Sequence, residues 1–260
     1  MSQLRFAVSD AVVIAERGLK RIRRNPDLAT AFTVQPIMFV LLFVYVFGGA
    51  IQVPSDFGDY ADFLMPGIIV QWMSFGGFAT ALGLAEDMNR GLIDRFRSLP
   101  MARSAVLTGR TLADVVTNSL GLTIMIGVGL MVGFTFSTSV PEVIAGIGLM
   151  LLIGYAFSWV FAWIGLLVSS PESANAYGFI IIFPLTFLSS AFVPPQTLPE
   201  PLKTFATDIN PFSYMVDAGR ALFVGTPAGN DIWVSIAWCL GLIAVFGMLA
   251  VARYRRAVAS

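Results

Sequence analysis

The side chains that perform most enzyme chemistry are scarce in this chain. There is no histidine, and the single cysteine, Cys239, lies inside an apolar stretch where a thiol packs as a small hydrophobe. Cys/His zinc sites, disulfide frameworks and histidine general bases are excluded on that basis. The two lysines, Lys20 and Lys203, follow no glycine-rich phosphate loop, so the chain carries no Walker-type ATPase, and it has no GxSxG nucleophile elbow. What remains are ionisable and polar groups embedded in apolar sequence, where a charge is costly and marks either a function or a pairing. Asp114 stands four residues after Arg110, a spacing that puts both on one helix face. The pair reads as a structural ion pair, with a substrate or proton site as the alternative. Asp62 falls at the edge of an apolar stretch. Gln35, Asn118, Thr186, Ser189 and Ser190 are uncharged polar residues of the same kind. Gly67, Gln71, Ser74 and Phe78 recur on one helical face, which either lines a path for an amphiphilic molecule or supplies hydrogen bonds between helices.

The elements that position these residues must cross a membrane. Of the 260 residues 57% are hydrophobic and 12% charged, more apolar surface than one soluble core of this size buries. A hydrocarbon layer of about 30 Å takes roughly 20 apolar helical residues. Six stretches qualify: Leu28–Phe47, Ala61–Ala85, Leu112–Phe134, Val143–Val168, Ala174–Phe192 and Ile232–Val251. All are expected to be helices, because a helix satisfies its own backbone groups in lipid. The chain therefore reads as one all-α domain, 1–260. It comprises a cytoplasmic interfacial part (1–27), a six-span core (28–251) and a cytoplasmic tail (252–260). Gly129 and Gly133 in the third span form a GxxxG pair suited to close packing.

Charge sets the orientation. Fourteen of the 16 basic residues lie before span 1, between Glu86 and Arg110, or after span 6, whereas the alternate connections hold only Lys203 and Arg220. The positive-inside rule then places both termini and the 2–3 connection in the cytoplasm. The N-terminus has no apolar core followed by a small-residue cleavage site and is not expected to be a cleavable signal. With 16 acidic residues balancing the 16 basic ones, bulk charge does not point to nucleic acid.

Three pieces lie outside the spans. Before span 1, Leu4, Val8, Ala11, Ala15, Leu19 and Ile22 recur at steps of three or four among arginines, the pattern of an amphipathic helix on the membrane face. It either anchors the first span or also touches a cytosolic partner. Between spans 2 and 3, Leu92, Ile93, Phe96 and Leu99 line one helical face opposite Asp94, Arg95 and Arg97. Such a helix inserts into a groove on another protein or rests on the bilayer. The 5–6 connection, Val193 to Asp231, is interrupted by Pro194, Pro195, Pro199, Pro201 and Pro211, yet keeps apolar residues at helical spacing. It is expected to fold back as one or two short helices dipping into the membrane, as a buried cap or as an extracellular gate.

In order along the chain, these pieces resemble the type-2 ABC exporter permeases, in particular the daunorubicin-resistance-type drug permeases of actinobacteria. RRNPD followed by Pro36 resembles that family's approach to its first span. The stretch from Glu86 to Arg110 resembles its cytoplasmic loop, with Arg110 where lysine is commoner. The segment LSSAFVPPQTLPEPLKTFATDINPFSYMVDAGRALFVG, Leu188 to Gly225, is similar to its signature, with Ser189-Ser190 where many relatives have Ser-Gly. The resemblance implies a non-catalytic permease of the bacterial plasma membrane. It would act as a homodimer or with a sister permease and couple to a separate ATPase subunit that binds ATP and Mg. On that reading Gly91, Leu92, Asp94, Arg95, Phe96 and Leu99 form the ATPase-coupling helix. Asn210, Pro211 and Arg220 belong to the extracellular re-entrant gate. Cargo would be a lipophilic or amphiphilic drug-like molecule or a lipid, and no cofactor is bound by the chain itself. The rival classes are a membrane scaffold that recruits a cytosolic partner and an ion-gradient-driven carrier. The latter would ordinarily show interrupted helices or buried acids at mid-membrane, and spans 3 to 6 lack central acids.

Overall fold

A computed structural model of the protein describes residues 34, 37–48, 57–89, 103–168 and 170–259, and among these every regular element is helical, with no strand. The order is α1 (Ile37–Val46), α2 (Tyr60–Ser74), α3 (Phe78–Asn89), α4 (Arg103–Met131) and α5 (Val140–Leu167). It continues with α6 (Pro171–Phe187), α7 (Glu200–Thr204), α8 (Pro211–Val224) and α9 (Asp231–Ala259). The N-terminal amphipathic segment and residues 90–102 lie outside the described residues.

Four helical stretches are long and apolar enough to cross a membrane: Tyr60–Met88, Leu107–Met131, Val140–Leu167 and Asp231–Tyr254. They coincide with expected spans 2, 3, 4 and 6. The shortest has 24 residues, about 36 Å at 1.5 Å per residue, against about 30 Å of hydrocarbon. At the places of spans 1 and 5 stand the shorter α1 and the 17-residue α6.

Local sequence explains where the helices begin. The Glu142 carboxylate reaches back to accept from the Ser139 N–H at 2.8 Å and the Ser139 hydroxyl at 2.7 Å, and Pro141 occupies the first turn of α5, where a missing N–H does no harm. Ser170 accepts from the Ser173 N–H at 3.2 Å ahead of Pro171 and starts α6. Asn210 followed by Pro211 starts α8 in the same manner.

Span 2, expected as one helix, is broken. α2 stops at Ser74 and α3 starts at Phe78, across a turn in which Gly76 N–H bonds Met73 O at 2.9 Å and Phe78 N–H bonds Phe75 O at 2.9 Å. The cause is close packing. A Cβ on Gly76 would stand 2.2 Å from Asn118 Nδ2, and one on Gly77 2.4 Å from Ser158 Cα, so this turn lets the chain approach α4 and α5 where a side chain would not fit.

Every residue of α2 except Trp72 is buried. An apolar helix with no solvated face belongs in the middle of a bundle, and α2 packs there against α5 and α8. The main core joins Leu64, Met65, Ile69 and Met73 of α2 with Met150, Ile153 and Phe161 of α5 and Phe212, Met215 and Phe223 of α8. A second, smaller cluster at the end nearest residues 90–102 unites Leu84, Leu107, Trp159, Ala162, Leu166, Ala250 and Tyr254.

Two polar clusters as the candidate functional site

Arg220 sits on α8 with 3% of its surface exposed, beside the first turn of α2. Buried arginine is tolerated only when its donors are used, and here they are. Nε and Nη2 both donate to Phe63 O at 3.0 Å, Nη2 also donates to Ser190 O at 2.7 Å, and Nη1 donates to Asp217 Oδ1 at 2.7 Å. The guanidinium carbon lies 3.9 Å from the centroid of the Phe63 ring, so α2 contributes a cation–π face as well as a carbonyl. Ser190 Oγ donates to the same Asp217 oxygen at 3.0 Å, while Ser190 N–H bonds Ser213 Oγ at 3.1 Å.

These bonds answer a backbone need. α6 ends at Phe187, and the chain then leaves the helix through Leu188–Ala191, freeing carbonyls that must find donors. Asn210 supplies two of them. Its Nδ2 donates to Leu185 O at 2.7 Å and Leu188 O at 2.9 Å, while its Oδ1 accepts from Phe212 N–H at 3.0 Å as the cap of α8. The side chain must donate and accept at once, which an amide does and a carboxylate does not. Pro211 follows as the first residue of α8. The segment Pro211–Val224 thus packs as a helix clamped to α2 and to the end of α6.

The second cluster lies in the half nearer residues 90–102, where α3, α4 and α5 meet. The expected Arg110–Asp114 ion pair is not what forms: Arg110 Nη2 pairs with Asp87 Oδ2 on α3. The (i, i+4) spacing permits the local pair, but α3 offers a less buried partner, the two side chains being 31% and 21% exposed. Asp114 faces the hydroxyls of Thr80 and Ser158 and the charge of Arg110, and its Oδ2 has no hydrogen-bond partner. One turn further on, Asn118 is 4% exposed and its Nδ2 is likewise without a partner.

The suggested pathway residues are enclosed. Gln71 is buried, the Ser74 hydroxyl donates to Val70 O at 2.8 Å within its own helix, and half-buried Phe78 meets Phe161 edge-on at 5.9 Å. Gly91, Leu92, Asp94, Arg95, Phe96 and Leu99 lie outside the described residues. Among the described residues no three Asp, Glu, His or Cys side chains gather as a metal site.

Sequence reasoning missed Ser213, Asp217 and Phe63 as partners of Arg220, and Asp87 and Thr80 as neighbours of Arg110 and Asp114. The first omission had a signal. Ser213, Asp217 and Arg220 are spaced four and three apart and form one polar stripe on an otherwise apolar helix. The second had none, because its partners come from a different helix.

The sequence matches the family described as ABC-2 type transporter over residues 10–224. It is 32% identical to the daunorubicin resistance ABC transporter permease protein DrrB1 of Streptomyces coeruleorubidus, over 96% of this chain and 87% of that protein. It is 24% identical to the probable doxorubicin resistance ABC transporter permease protein DrrC of Mycobacterium tuberculosis, over 97% and 91% of the two chains. A further relative is the probable multidrug ABC transporter permease YbhR of Escherichia coli, 25% identical over 77% of this chain and 54% of that protein.

Proposed function

The chain belongs to the ABC-2 type transporter family, multi-pass membrane permeases whose ATPase is a separate subunit, and we propose that it exports a lipophilic or amphiphilic compound, drug-like or lipid, using ATP hydrolysed by that partner. Six spans thread a single domain, 1–260, through the bacterial plasma membrane with both termini inside. Residues 90–102 face the cytoplasm, where Gly91, Leu92, Asp94, Arg95, Phe96 and Leu99 form the helix that seats in the ATPase. Two permease copies, or this chain and a sister permease, stand over two ATPase subunits. The α8 segment, held by Asn210 and Arg220, caps the outer end of the pathway, and α2 with Gln71, Ser74 and Phe78 borders it.

The observation that carries this reading is the charge pattern: fourteen of 16 basic residues fall on the three segments that share one side in a six-span threading. The DrrB1 relative, covered over 87% of its length, supports the drug-export assignment. Co-reconstitution with the ATPase tests it. Cargo-stimulated ATP hydrolysis is expected, and Asp94→Lys or Phe96→Asp abolishes the stimulation. A scaffold would show no stimulation in any variant.

One observation favours a second reading. The broken span 2 beside buried Asp114 is a feature shared with ion-driven carriers. Transport that follows an imposed ion gradient and ignores ATP would establish it.

A further inference from the structure

Asp87 and Arg110 close the base of the connection formed by residues 90–102. Asp87 is near the last residue of α3, and Arg110 lies about two turns into α4, so their ion pair ties α3 to α4 on either side of residues 90–102. The guanidinium reaches across because Gly83 leaves room for it: a Cβ there would stand 2.7 Å from Arg110 Nη1. Beneath the pair, Leu84 and Leu107 belong to the small cluster that also takes in Trp159, Leu166 and Tyr254, which anchors the base to α5 and α9.

One helical turn deeper along α4 stands a second acceptor for the same guanidinium. Asp114 is 6% exposed, feels the charge of Arg110, and keeps Oδ2 without a partner. Residues four apart on a helix are neighbours, so a rotation of the Arg110 side chain exchanges one carboxylate for the other. The exchange conserves the number of charge pairs. Were Asp114 absent, parting α3 from α4 would leave Arg110, near the head of the apolar stretch Leu107–Met131, without a carboxylate partner, which is unfavourable.

We propose that Arg110 is a positioning residue of the transport cycle, holding the base of the ATPase-facing connection through Asp87 in this conformation and passing to Asp114 when α3 draws away from α4. This rests on the reading of residues 90–102 as the ATPase contact. In this conformation α3 and α4 are latched and the deeper seat is vacant. In the alternate state the seat is filled and the connection is free to follow the ATPase.

Two readouts test it. In vesicles holding the chain with its ATPase, and doxorubicin as the cargo probe, Asp114→Asn is expected to lower cargo moved per ATP hydrolysed about tenfold, within the usual span of coupling between sites. In an Arg110→Leu background the same Asp114→Asn change should add nothing, because Asp114 acts through Arg110. A loss of equal size in both backgrounds, or no loss in either, overturns the proposal. The second readout uses the permease alone in lipid nanodiscs, spin-labelled at Met88→Cys and Leu112→Cys with Cys239→Ala. Asp87→Asn is expected to lengthen the label separation, and Asp114→Asn to collapse the distribution onto the short distance. Identical distributions in both variants refute the exchange. If the labels behave as expected while no ATPase binds, the loop assignment fails and the arginine exchange stands.

Discussion

At the α8 end of the molecule one guanidinium donates to the Phe63 and Ser190 carbonyls and to the Asp217 carboxylate, and lies on an aromatic ring. At the other end one guanidinium stands near two carboxylates and pairs with one of them, leaving an oxygen of Asp114 and the amide nitrogen of Asn118 unmatched. The ingredients are alike, an arginine, aspartates and hydroxyl side chains, but the accounting of donors and acceptors differs. A buried network in which each member is satisfied has one good arrangement and resists change. A network with a surplus acceptor has a second arrangement close in energy. Under the exchange proposed for Arg110, the contrast separates a part of the permease built to stay put from a part that moves.

The largest effect should come from breaking the satisfied cluster. Arg220→Ala strands the Phe63 and Ser190 carbonyls and Asp217 at once, and is expected to lower stability by about 3–5 kcal/mol, measured by thermal unfolding in detergent. Arg220→Lys should recover only part of this, because an ammonium cannot reach Phe63, Ser190 and Asp217 in the fixed geometry of a fork. Next, Gly67→Val pushes a Cβ to within 2.5 Å of Ala191 O, and forcing α2 away from the clamp is expected to cost about 1–3 kcal/mol. Asn210→Ala removes the donors to Leu185 O and Leu188 O and the cap of α8, for about 1–2 kcal/mol. Asn210→Asp, which restores the cap without the donors, should fall between. The smallest effect sharpens the comparison from the other side. Asp114→Asn keeps the shape and removes a carboxylate that lacks a full set of partners, so the loss of stability should stay below about 1.5 kcal/mol. A loss as large as that of Arg220→Ala would show that the two clusters do not differ as argued.

Much of this was legible in the sequence where the cause is local. Length and hydropathy mark spans 2, 3, 4 and 6 because crossing lipid leaves little freedom of pattern. Asn210-Pro211 before α8 and Gly225 after it are the signs of a helix start and stop, and Gly225 adopts the left-handed φ of +86° that such a stop uses. The packing of the 5–6 segment follows from its apolar spacing. What stayed hidden depends on other helices. Gly76-Gly77 in an apolar run is compatible with an unbroken span, and only the approach of Asn118 and Ser158 makes it a turn. Arg110 has an aspartate at the favoured local spacing, and nothing in the sequence shows that Asp87 arrives beside it from α3. Asp114 and Asn118 could be picked out as polar residues in lipid, but not as groups left short of partners.

The central claim is that the two ends of the bundle face opposite sides of the membrane, with residues 90–102 inside and the α8 segment outside. Single cysteines at Gly91 and at Gln196, an exposed residue ahead of α7, can be introduced into a Cys239→Ala chain and challenged in intact cells with a membrane-impermeant maleimide. Gln196→Cys should label at once and Gly91→Cys only after the cells are permeabilised. Labelling of both, or of neither, in intact cells would contradict the topology and with it the ATPase contact.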